Sequence, residues 1–118
     1  MINDPSAIAA YHAHVYFDSP ETRAIAAGLR EQVAAAFPEA RLGGWHDSPV
    51  GPHTKPMFQI LFSAGRFAAL LPWLMLNRNG LSILVHPESG DDYADHAEHA
   101  AWLGTPLPLR LDILKAMH

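Results

Sequence analysis

The sequence predicts an α+β sandwich: a four-stranded antiparallel sheet with two helices packed on one face. Three observations predict it. Tyr11 to Phe17 and Pro56 to Ser63 are rich in β-branched and aromatic residues, with the two-residue period of a strand. Ala24, Ile25, Gly28, Leu29, Val33 and Phe37 recur at helical spacing. Read in order, the chain gives strand, helix, strand, strand, helix, strand.

Residues 1–9 form a lead-in, and Tyr11 to Phe17 is the first strand. Asp18-Ser19-Pro20-Glu21 opens the first helix, with Ser19 as N-cap and Pro20 in the first helical position. Pro38 ends that helix. Arg41 to Asp47 is a second strand, weakened by glycines, and residues 48–54 form a proline-punctuated loop. Pro56 to Ser63 is the third strand, with Phe58, Ile60 and Phe62 on one face. Arg66 to Asn77 is a second helix, interrupted or bent near Pro72, and Leu81 to His86 is the fourth strand. This order is that of a ferredoxin-like βαββαβ sandwich, here with an additional C-terminal helical segment.

In that fold the strands lie in spatial order 4-1-3-2, and the first is antiparallel to both neighbours. Its start then lies beside the end of the fourth, which brings His12 near His86. Tyr11, Ala13, Val15, Phe17, Ile83 and Val85 should face the helices. His12, His14, Tyr16, Gln59, Ser82, Leu84 and His86 should share the open face.

Composition narrows the function. The 118 residues fit one domain, over residues 1–118, with a modest core. A net charge of −4 and the lack of any Lys/Arg cluster argue against nucleic acid as a partner. With no cysteine, thiol nucleophiles, Cys-zinc sites and disulfides are excluded, which suits a cytoplasmic setting. The N-terminus lacks the basic and apolar regions of a secretory signal. The longest apolar stretch, Phe67 to Leu76, is too short to span a bilayer. Gly-x-Ser-x-Gly, phosphate-loop and His-Glu-x-x-His patterns are absent.

Histidine is the conspicuous residue, with eight against eight Lys plus Arg. His12 and His14, two apart on a strand, project together. The pair alone also suits two polar residues on a wet strand. With His86 nearby, the three form a candidate metal site, and three imidazoles suit iron, zinc or another first-row metal. His53 sits in the stiff loop Gly51-Pro52-His53-Thr54-Lys55-Pro56. In the plain fold that loop lies at the far end of the first strand from His12. His53 is therefore expected in substrate binding or acid–base work, unless the loop folds inward. Asp92/His96 and Asp95/His99 are each four apart, as on one helix face, although acidic residues also suit any helix start. Trp102 and Leu103 should anchor that helix, and the segment from Tyr93 to Gly104 either covers the open face or leaves it to a partner subunit.

Three blocks in order resemble the DOPA 4,5-dioxygenase family. They are Tyr11 to Phe17, Gly51-Pro52-His53 with Phe58, and His86-Pro87-x-x-Gly90-Asp91-Asp92-x-x-Asp95-His96 through Trp102-Leu103-Gly104. The resemblance covers roughly residues 10 to 104. It implies a ferredoxin-like fold, a homodimer, and extradiol cleavage of a catechol such as DOPA by non-haem Fe(II) and O2. The family pattern carries Glu where this chain has Gln59. The expected roles are metal ligation by His12, His14 and His86, catalysis by His53 and His96, and substrate contact by Tyr16, Gln59 and Asp92. Glu88 is the alternative third ligand. The competing expectation is a non-enzymatic ferredoxin-like dimer that binds a small aromatic ligand or a metal.

Overall fold

A computed structural model describes residues 2–116, and among them it contains five strands and four helices. A 3-10 turn at Pro5–Ala7 leads into strand β1 (Ala10–Tyr16) and helix α1 (Pro20–Ala36). Ser19 and Thr22 make a reciprocal cap at the start of α1: Thr22 N donates to Ser19 Oγ, and Ser19 N donates to Thr22 Oγ1. This satisfies two backbone donors that the first turn leaves open. Helix α1 ends where Pro38 forbids a further turn, and it buries Ala26, Leu29 and Val33.

Strands β2 (Arg41–His46) and β3 (Met57–Ser63) follow, then helix α2 (Phe67–Asn77) and strand β4 (Ile83–Pro87). Helix α2 runs through Pro72 unbroken, because buried Leu70, Leu71 and Leu74 hold both sides of it against the sheet. Asn79 and Gly80 both take positive φ in the turn after it, the conformation that glycine and asparagine tolerate best.

The sheet order is β2-β3-β1-β4-β5, with every pair antiparallel. It contains the 4-1-3-2 order expected from the sequence. One core cluster joins Ala13, Val15, Phe58, Ile60, Phe62, Ile83 and Val85 to Leu29 and Val33 of α1 and to Leu70, Leu71 and Leu74 of α2. Both helices thus cover the same face. Tyr16 and Leu84 belong to a separate cluster on the other face, as strand alternation requires.

The C-terminal segment corrects the sequence expectation. The helix expected through Trp102 and Leu103 stops early: α3 spans Asp92–Ala97, and His99 N donates back to the Ala94 carbonyl. Ala101–Leu103 is instead strand β5, with Trp102 opposite Leu84. Pairing here satisfies the edge of β4, whose backbone groups would otherwise stand open. Trp102 lies 5.8 Å from Tyr16, ring to ring and stacked. Leu107 and Leu109 pack on the same cluster, and helix α4 (Leu111–Ala116) closes the described chain. Of the two expectations for the open face, cover by the chain's own C-terminal segment is the one seen.

Trp102→Ala should remove this cover from Tyr16 and Leu84. The variant should lose about 1–3 kcal/mol of stability, read as a lower denaturation midpoint with an unchanged far-UV spectrum.

Candidate metal centre

The site grows from the register between β1 and β4. His12 pairs directly across from His86, and His14 sits two residues further along β1 on the same face. His14 Nε2 and His86 Nε2 lie 2.9 Å apart. One ring nitrogen each from His12, His14 and His86 falls within 4.8 Å of the others. The expected trio does converge.

A second trio shares His14. Nitrogens of His14, His53 and His96 also lie within 4.8 Å of one another. His53 packs against His14 with tilted rings whose centres are 4.2 Å apart, and the ring centres of His96 and His86 are 4.0 Å apart. His53 is thus not remote from the strand histidines. The placement at the far end of the first strand is corrected, because its loop folds inward. Arg110 N donates to the Pro52 carbonyl, Thr54 Oγ1 donates to the Pro108 carbonyl, and His53 forms a β-bridge with Leu109. These bonds to the C-terminal segment pull the loop over the sheet.

Hydrogen bonds fix two of the rings. A carbonyl can only accept, so His86 Nδ1–H donates to the Pro87 carbonyl at 2.8 Å, and His96 Nδ1–H donates to the Asp92 carbonyl at 2.7 Å. In its neutral form each ring is left with a bare Nε2. Asp92 therefore orients His96 through its backbone and not its carboxylate. Asp95, expected beside His99, instead turns inward and accepts from Ser89 N and Oγ at 2.9 and 2.7 Å.

Burial sets the charges. It pushes His14 well below the usual imidazole range, and it takes His53 and His86 down to about 4. His12 is also lowered by burial, against the pull of Glu88, whose carboxylate lies 3.5 Å from His12 Nδ1. The cluster is therefore a set of neutral nitrogen donors at neutral pH.

These residues fit a first-row divalent ion. Two nitrogens each bound at about 2.1 Å to one ion sit about 3 Å apart at right angles, which matches the His14–His86 spacing of 2.9 Å. Two bare lone pairs do not tolerate that distance, so a proton or a cation belongs between them. Nδ1 of His14 is buried with no hydrogen-bond partner, so packing between rings holds this residue in place.

The cleft is about 250 Å³, lined by the five histidines together with Gly51, Pro52, Glu88, Asp92 and Leu114. Of the residues expected to contact substrate, Asp92 is there. Tyr16 is buried behind His53, with its hydroxyl 2.6 Å from His53 Nδ1. Gln59 shares the face, opposite His14, but its side chain occupies the space that a β-carbon on Gly43 would fill, and it does not line the cleft. The sequence reading missed the part played by Leu109 and Leu114. A signal was present, since Thr105-Pro106-Leu107-Pro108-Leu109 alternates leucine with proline, the mark of an extended segment with one apolar face.

The sequence pattern of the Dopa 4,5-dioxygenase family matches residues 11–113. An uncharacterized 21.2 kDa protein of Botryotinia fuckeliana is 38% identical, over 92% of this chain and 64% of its own length. The DOPA 4,5-dioxygenase of Amanita muscaria is 34% identical, over 90% of this chain and 50% of its own length. The chain thus spans between half and two thirds of these relatives. Among solved structures, a candidate dioxygenase from Nostoc punctiforme superposes with a TM-score of 0.95 at 49% identity, covering 99% of this chain and 100% of that one.

Asp95→Ala should remove the carboxylate that accepts from Ser89 N and Oγ and loosen the turn that carries Glu88 and Asp92. A loss of about 1–3 kcal/mol is expected, with faster amide exchange at Ser89 than in the wild type.

Proposed function

The chain belongs to the Dopa 4,5-dioxygenase family, and from that premise we propose that it is an extradiol ring-cleaving dioxygenase for a catechol such as DOPA or a related dihydroxyphenyl compound. It is an oxidoreductase that uses non-haem Fe(II) and O2. The observation that carries this reading is the convergence of His12, His14 and His86 on one cleft. The fold is read as ferredoxin-like, extended by β5 and the C-terminal helices. The working assembly is read as a homodimer, as the family resemblance implies, and its setting as cytoplasmic, which the lack of cysteine suits.

Supporting chemistry comes from the donor set and the cleft size. Neutral imidazoles leave a divalent ion its full charge, which favours a catecholate. A cavity of roughly 150 Å³ already holds benzene, so about 250 Å³ suits one substituted ring. Bound iron would supply the Lewis acidity and redox chemistry that join a catecholate to O2. Both atoms of O2 enter the product as the ring carbon–carbon bond beside a hydroxyl breaks, so no external reductant is consumed.

The chain's own residues divide the remaining work. His12, His14 and His86 hold the ion, and the Glu88 carboxylate beside His12 orients that ring. His96, with its bare Nε2, accepts a catechol proton. His53 faces it across the cleft and donates a hydrogen bond to oxygen, to which His96 returns the proton it took up. Asp92 contacts substrate polar groups at the rim. Tyr16 and Gln59 are withdrawn from direct substrate contact, the first behind His53 and the second over Gly43.

Anaerobic reconstitution with Fe(II), followed by a panel of catechols and O2, tests the reading. One O2 should be taken up per catechol, with a yellow ring-opened product. His12→Ala, His14→Ala and His86→Ala should each strip the iron. His53→Ala and His96→Ala should keep it and lose roughly 10²–10⁴-fold in turnover. Iron loss in His53→Ala with the fold intact would move the metal to the His14, His53 and His96 set. Iron binding with no turnover of any catechol would sink the enzymatic reading.

A further inference from the structure

Tyr16 is the buried polar residue of the open face that the metal reading does not use. Its ring is nearly inaccessible at 3% exposure, stacked on Trp102, and its hydroxyl has one hydrogen-bond partner, His53 Nδ1 at 2.6 Å. A phenol carries its proton at neutral pH.

Two arrangements of this bond are conceivable. In one, His53 Nδ1–H donates to the phenol oxygen. The buried phenol hydrogen then has no acceptor among the described residues. In the other, the phenol donates to a bare Nδ1, and both groups are satisfied by one bond. The second wins, because an unmatched buried donor costs far more than a matched one gains. Neutral His53 must then carry its proton on Nε2. With Nδ1 occupied, Nε2 is the nitrogen left to face the cleft that His53 lines.

The contrast with its neighbours is chemical. Backbone carbonyls hold the protons of His86 and His96 on Nδ1 and leave Nε2 bare. A hydroxyl does the reverse for His53. We propose that Tyr16 is a positioning residue that fixes His53 as the Nε2–H tautomer, so that His53 turns a hydrogen-bond donor on a bound oxygen where His86 and His96 turn lone pairs. What the donor acts on rests on the dioxygenase reading. The tautomer itself does not.

The test is a long-range proton–nitrogen correlation spectrum of the full chain labelled with 15N-histidine, recorded near neutral pH, metal-free and after addition of Zn(II). A His53→Asn variant assigns the signal. The wild type should show His53 as the Nε2–H tautomer in both states. An Nδ1–H tautomer overturns the proposal. In Tyr16→Phe, His53 should shift toward a mixture of tautomers, and kcat on the best catechol should fall roughly 10–100-fold, the usual effect of losing an orienting partner, with iron content unchanged. A folded Tyr16→Phe protein that keeps His53 wholly Nε2–H also overturns it. If that variant does not fold, the wild-type spectrum decides alone. Absence of catechol cleavage would remove the enzymatic reading and leave the spectral result standing.

Discussion

In the pairing of β1 with β4, a single register decides both the core and the site. Ala13 and Val15 are fully buried against the helices, while His12 and His14 point the other way. A slip of one residue would send both histidines into the helix-covered core and turn both apolar side chains outward. Burial of Ala13, Val15, Ile83 and Val85 therefore penalises every register except the one that sets His12 beside His86. The helical layer packs on the opposite face of the sheet from the histidines, yet it fixes where the imidazoles stand.

Such a cluster is costly for the fold to hold. Among the described residues four polar or charged side chains besides Tyr16 are buried, and three of them are His14, His53 and His86. Desolvation keeps them neutral, so the cost appears as lost basicity and not as buried charge. The same desolvation leaves nitrogen lone pairs free at neutral pH, which is what a metal requires of its ligands. Glu88, Asp92 and Asp95 gather near the mouth, and carboxylates there make the surroundings more favourable to a cation without joining the neutral set.

Much of this was legible in the sequence, for a physical reason. Alternation along Tyr11 to Phe17 is a local property, and the neighbours of β1 follow from element order, so the meeting of His12 with His86 could be read without coordinates. The position of His53 could not. It depends on hydrogen bonds from Arg110 and Thr54 that join residues more than fifty positions apart, and no local pattern encodes them. Trp102 misled for a related reason. Spacing after Asp92 fits a helix, but the open edge of β4 offered Ala101–Leu103 a better outlet for its backbone groups. Gln59 was placed on the correct face. Its direction along that face was set by the missing side chain of Gly43, which spacing on β3 alone does not reveal.

The residues after β4 tie these observations together. Trp102, Leu107 and Leu109 seal the apolar part of the open face, and the same stretch holds the 48–56 loop through Pro52, His53 and Thr54. Sealing and site assembly are consequently one event: the segment cannot leave Tyr16 and Leu84 without releasing the loop that brings His53 to His14. Tyr16 sits at the joint, stacked on Trp102 on one side and bonded to His53 on the other. The four-stranded sheet alone would present His12, His14 and His86 as an open patch. The C-terminal segment turns that patch into a cleft, bringing in His53 beside His14 while α3 brings His96 beside His86, so that two further imidazoles join the three on the strands.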